Sequence, residues 1–242
     1  LDLGGASARA WQAQPADMRA HIESFVSGIN AFATAHPELI GDSVRAILPV
    51  QPVDVLAHLA RVQYARFLSG SDRVRAETRA WRDRGSNAWA VAPVRAASGH
   101  TLLLQNPHLP WSDAMTWIEA EYQTPDGMNV SGAALVLSPV LQIAFNDSLG
   151  WTHTVNTQDG EDLYELTLSG DGYLYDGAVR AFDASMHVMR VRQKDGSLRD
   201  DTVRVRRSVH GPVIADKAGK AVAVALIGLH GPALDGSLVQ WW

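Results

Sequence analysis

Ser86 is the residue whose surroundings most invite chemistry. It follows Gly85 in the run Arg84-Gly85-Ser86-Asn87-Ala88-Trp89. Glycine leaves its own carbonyl open to close approach and tolerates strained conformations. Serine places an oxygen nucleophile beside that carbonyl. Cleavage of the Gly85–Ser86 bond would make the serine a chain start. Its amine would have a pKa of ~8 and could act as a base near neutral pH. Nucleophile and base would then sit on one residue. Gly-Ser-Asn is also a common turn sequence, so the triplet needs support from the rest of the chain.

Other familiar constellations are missing. The sequence has no cysteine, which removes disulfides, thiolate metal sites and cysteine nucleophiles. It has no Gly-x-Ser-x-Gly elbow, no phosphate-binding glycine loop and no His-Glu-x-x-His. Nine histidines are scattered without ligand spacing. A Ser-His-Asp hydrolase using His108 or His153 is disfavoured by the absent elbow.

Two kinds of element must position Ser86. The first 85 residues read as helical. Met18, Ile22, Phe25, Ile29 and Phe32 recur at spacings of three and four, and Pro37 stops that helix. A second helix starts after Pro52, with the stripe Val55, Leu56, Leu59, Val62 and Phe67. Residues 73–84 are rich in arginine and read as an exposed connector. From Gly85 the pattern turns to strand-length apolar runs: 88–94, 101–104, 117–123, 141–145, 151–157, 163–168, 186–191, 202–206 and 222–227. Thr101–Leu104 reads as a buried strand. Helices first and mainly antiparallel sheet after give an α+β fold. The chain has 242 residues, 46% of them apolar and 19% charged, which is too apolar for disorder. A net charge of −5 argues against a nucleic-acid partner. No apolar run reaches the roughly 18 residues that span a bilayer. The ends, Leu1 and the apolar Leu238, Val239, Trp241 and Trp242, suggest a segment of a longer protein.

Five ordered blocks make the sequence resemble the penicillin-acylase family of N-terminal-nucleophile hydrolases. They are Gly85–Trp89, Leu102–Trp111 with its Asn-Pro-His-Leu-Pro-Trp, and Gly150–Val155 with its Trp-Thr-His-Thr-Val. The other two are Asp159–Tyr164 and Arg207–Val213 with its His-Gly-Pro-Val. The second and third are similar to the acyl-homoserine-lactone and aculeacin-type acylase branch. The resemblance implies part of an αββα sandwich. It also implies a division into the end of a small subunit (1–85) and the start of a large one (86–242), separated by self-cleavage between Gly85 and Ser86. Ser86 would be the nucleophile, His108 would orient its amine or tune its pKa, and the Val155 N–H would form half of the oxyanion hole. The second oxyanion donor of the family, an asparagine, and a catalytic arginine fall beyond Trp242, so this piece alone is expected to be inactive.

Leu109, Trp111, Met115 and Trp117 lie where the family lines its acyl pocket. Their large, adaptable side chains suit a fatty or aromatic acyl group, and plain core packing is the other reading. Asp159 and Asp162 suit calcium, a structural ion in some members. The glutamate that completes the family's site is replaced by Gln51, and no cofactor is required. The expected partners are an N-acylated small molecule and the remainder of the precursor, without nucleic acid or membrane insertion. The expected location is periplasmic or secreted. Alternatives are an acylase of β-lactam side chains and a non-catalytic module that binds apolar ligands.

Overall fold

A computed structural model describes residues 3–64, 85–125, 127–154 and 160–228. The connector 73–84, Val155, Asp159 and the last residues, including Trp241 and Trp242, lie outside these. Among the described residues, one compact unit holds 3–64 and 85–154, and a second holds 160–228.

The first unit begins with α1 (Leu3–Ala13), α2 (Ala16–Ala35), the single turn α3 (Asp42–Arg45) and α4 (Pro52–Val62). In α2 the buried side chains are Met18, Ile22 and Val26. Phe32, expected on the same stripe, is exposed; the last turn of α2 extends past the buried stretch. Pro52 opens α4 as expected, and the Gln51 N–H donates to the Asp54 carboxylate at 2.8 Å, closing the first turn. Val55, Leu56, Ala60 and Val62 form its buried face.

Among the described residues every strand pairing is antiparallel. β1 (Ser86–Val91) and β2 (Leu102–Pro107) form a two-stranded ribbon. β3 (Trp117–Gln123), β4 (Asn129–Leu135), β5 (Ile143–Phe145) and β6 (Gly150–Trp151) form a four-stranded sheet in that order. In the ribbon, Leu102 and Leu104 remain 50% and 46% exposed, which corrects the expectation of a buried strand. A ribbon of two strands is covered on one face only, so alternation hides every second side chain. β4 escaped the sequence reading because of Gly132. A Cβ there would run into the Ile143 carbonyl of the neighbouring strand, so glycine marks close approach, not a break.

The second unit is one sheet. Its strands are β7 (Glu161–Ser169), β8 (Gly172–Tyr175), β9 (Ala178–Ala181), β10 (Asp183–Arg192), β11 (Leu198–Ser208), β12 (Gly211–Lys217) and β13 (Lys220–Leu226). The spatial order is β10-β11-β12-β13-β7-β8-β9. Leu166, Tyr173, Ala221 and Ala223 are the buried centre of its core. Helices followed by antiparallel sheet make the architecture α+β.

Candidate active site

The register of the ribbon brings residues 85 and 108 together. Ser86 pairs with Pro107 and Asn87 with Asn106, so the residue after β2 arrives beside the residue before β1. The His108 N–H donates to the Gly85 carbonyl oxygen at 3.1 Å. Asn87 and His108 are diagonal cross-strand neighbours on one face, and Asn87 Nδ2 lies 3.1 Å from His108 Nε2. The sequence reading placed Asn87 in the first block without a role. The signal that would have found it is the register, which sets residue 108 two places beyond the partner of residue 87.

These contacts bear on the carbonyl before Ser86. A backbone N–H aimed at a carbonyl oxygen polarises it and stabilises the charge that develops when a nucleophile attacks its carbon. Gly85 has nothing within 4 Å of the place a Cβ would occupy, and it is not among the positive-φ residues. Its contribution in this conformation is therefore access to the carbonyl rather than a left-handed turn.

Three of the four expected acyl-binding residues converge. Met115 is buried with Val62, Ala114 and Leu135, and Leu109 and Trp117 pack against that group. Val62 comes from α4, so the helical segment contributes directly to this cluster. The Trp117 indole Nε1 is buried there without a hydrogen-bond partner among the described residues. Trp111 stands apart, 96% exposed. A separate cavity of about 490 Å³ is lined by Tyr122, Met128, Val130, Leu141, Trp151 and His153, among others, and by none of those four. Burial lowers the His153 pKa from the ordinary imidazole value, partly offset by a hydrogen bond to the Gln142 backbone.

The last two sequence blocks meet in the second unit. Tyr164 and His210 stack with ring centroids 3.8 Å apart. Gly211 has φ +134, and a Cβ on it would collide with the Val224 carbonyl, which explains a glycine after His210. Asp162 is exposed on β7. No group of three or more His, Asp or Glu able to hold a metal ion occurs among the described residues. Gln51 offers an amide instead of a carboxylate, and it donates to the Pro49 carbonyl at 3.3 Å. Asp159, the other expected ligand, lies outside the described residues.

Comparison with known proteins adds an independent line. The family model described as penicillin amidase matches residues 1–240. The acyl-homoserine lactone acylase PvdQ of Pseudomonas putida is 37% identical over 178 residues, covering 72% of this chain and 22% of that protein. Its counterpart from Pseudomonas fluorescens is 32% identical, covering 88% and 31%. Aculeacin-A acylase of Actinoplanes utahensis is 34% identical over 96 residues, covering 38% and 12%. Among solved structures, a thermostable penicillin G acylase from Alcaligenes faecalis matches with TM-score 0.55 and 23% identity, over 64% of this chain and 28% of that one. The chain spans less than a third of the length of these relatives.

Proposed function

The chain belongs to the penicillin amidase family, and from that premise we propose that the full-length protein is a self-processing amide hydrolase of N-acylated small molecules. The observation that carries this reading is the His108 N–H directed at the Gly85 carbonyl. In the first step Ser86 Oγ attacks the Gly85 carbonyl carbon, and the developing oxyanion is held by that N–H. The Gly85–Ser86 C–N bond breaks, the nitrogen takes a proton, and an ester between Gly85 and Ser86 Oγ remains. Water hydrolyses the ester, releasing a Gly85 carboxylate and a Ser86 amine.

The freed amine then serves as base for its own hydroxyl. Ser86 Oγ attacks the substrate amide, the amine product leaves with a proton, and water releases the acid from the acyl-enzyme. The Val155 N–H is the assigned oxyanion donor of this second reaction. Asn87 holds the His108 imidazole, and His108 orients the Ser86 amine. Leu109, Met115 and Trp117 receive the acyl group. The names of the relatives favour N-acyl homoserine lactones and acylated peptides as substrates. The two processed chains remain associated, and the protein is exported to the periplasm or beyond. No helix among the described residues is long and apolar enough to cross a membrane.

The reading is tested by incubating the purified full-length protein with an N-acyl homoserine lactone and following release of the fatty acid. Release that disappears in Ser86→Ala is the expected result. Equal release by the Ser86→Ala protein overturns it.

A further inference from the structure

The loop 136–142, between β4 and β5, is tied down by imidazoles from three separate elements. His21 of α2 places Nε2 2.5 Å from the Pro139 carbonyl oxygen. A carbonyl can only accept, so Nε2 carries the hydrogen. His58 of α4 hydrogen-bonds the backbone of Val136. The Val136 N–H is already given to Thr116 O at 2.8 Å, and His58 Nε2 is buried without a hydrogen-bond partner among the described residues, so Nδ1 is the ring atom left to donate to the Val136 carbonyl. His153, beyond β6, bonds the Gln142 backbone in the same way, since the Gln142 N–H goes to Ala133 O at 3.0 Å. Two of the three imidazoles belong to the helical segment that precedes Gly85.

The loop is also closed on itself and onto the apolar cluster. Ser138 Oγ donates to Val140 O at 2.8 Å, and the Ser138 N–H to Leu135 O at 2.9 Å. The Gln142 side chain accepts the Leu135 N–H at 2.8 Å. Leu135, the last residue of β4, joins this loop to the acyl-binding cluster: it is 4% exposed and is buried with Met115, Ala114 and Val62. Its neighbour Val136 carries the bond to His58. Whatever fixes Val136 therefore fixes one wall of the cluster.

We propose that His21 and His58 are positioning residues for acyl recognition, holding loop 136–142 and Leu135 so that the helical segment upstream of the cut determines which acyl length the downstream strands accept. This rests on the functional reading above for the identity of the ligand. Connecting loops otherwise sample many conformations and relax around whatever they hold. Two side-chain donors from rigid helices remove that freedom, and small displacements of an apolar wall change discrimination between chain lengths.

The test uses the full-length protein and the variants His58→Leu, His21→Leu and His58→Gln. Glutamine retains an N–H donor; leucine fills space without one. Two readouts are taken over a series of straight acyl chains: kcat/KM for the N-acyl homoserine lactones, and the thermal shift produced by the corresponding free fatty acids. The leucine variants are expected to change the ratio between long and short chains by about tenfold in both series, with the glutamine variant restoring the parent profile. A uniform fall across all lengths, or an unchanged profile, overturns the proposal. If the parent protein hydrolyses nothing, the functional reading fails and the fatty-acid series still decides this one: a leucine-induced shift in its length profile supports the proposal, and no shift overturns it. Should His58→Leu fail to fold, His21→Leu carries the same comparison.

Discussion

At the scale of single residues the site is a small set of hydrogen bonds around one peptide unit. Asn87 and His108 are joined by a bond of 3.1 Å, and a typical intramolecular hydrogen bond contributes about 1 kcal/mol. Asn87→Ala is therefore expected to slow acyl-amide hydrolysis roughly fivefold with little change in Tm. Steady-state kinetics beside a melting curve separates the two effects. His58 gives a pH signature. Burial, together with the nearby Arg61 guanidinium, lowers its pKa from the ordinary value of 6.5, partly offset by the Val136 bond. The folded state thus binds its proton more weakly than the unfolded chain does. Stability is full above the unfolded value and is lost as pH falls from there through the lowered folded one. A series of melting curves is expected to show Tm falling into this acid window, with a shallower fall in His58→Gln. Part of the candidate site was legible in the sequence: Gly85, Ser86 and His108 could be named as candidates from residue types and blocks, and the ribbon register brings Gly85 and His108 together. Asn87 and the histidine bonds to loop 136–142 could not. The contacts of Asn87 and His21 depend on which residues a register or a helix face brings together across 21 and 118 positions.

At the scale of elements, the two tryptophans and the methionine expected to bind the acyl group divide into separate physical classes. Met115 is 1% exposed at the centre of its cluster, so Met115→Ala is expected to cost about 2–5 kcal/mol. Trp111 is almost wholly exposed, and Trp111→Ala is expected to stay within about 0.5 kcal/mol. Urea midpoints of the two variants measure this; equal losses would contradict the division. The fold was legible wherever periodicity was long and clean. The strand over Trp117–Gln123 is found as read, and α4 begins at Pro52. β4 was hidden because its sequence, Asn-Val-Ser-Gly-Ala-Ala-Leu, is built of small residues chosen by close strand approach. β8, β9 and β12 are short or broken by glycine and proline, and only their hydrogen-bonded neighbours define them. The solid run Leu102–Leu104 suggested burial, yet burial depends on how many layers cover a strand, which a run of three residues does not encode.

At the scale of the whole molecule, the helices upstream of Gly85 and the strands β1–β6 that follow it form one compact unit among the described residues. Val62 shares a buried cluster with Met115 and Leu135, and His21 and His58 reach loop 136–142. A chain cut between residues 85 and 86 would thus keep contacts that bridge the cut, as a processed but associated protein requires. The chain belongs to a family whose matched members are more than three times as long. The central claim is that the peptide bond polarised by the His108 N–H is the one that breaks. Intact-mass measurement of the full-length protein under denaturing conditions tests it most directly. The account predicts two chains, one ending at Gly85 and one beginning at Ser86 with a free amine, replaced by a single uncut chain in Ser86→Ala. A parent protein that hydrolyses N-acyl substrates while remaining one uncut chain would contradict it.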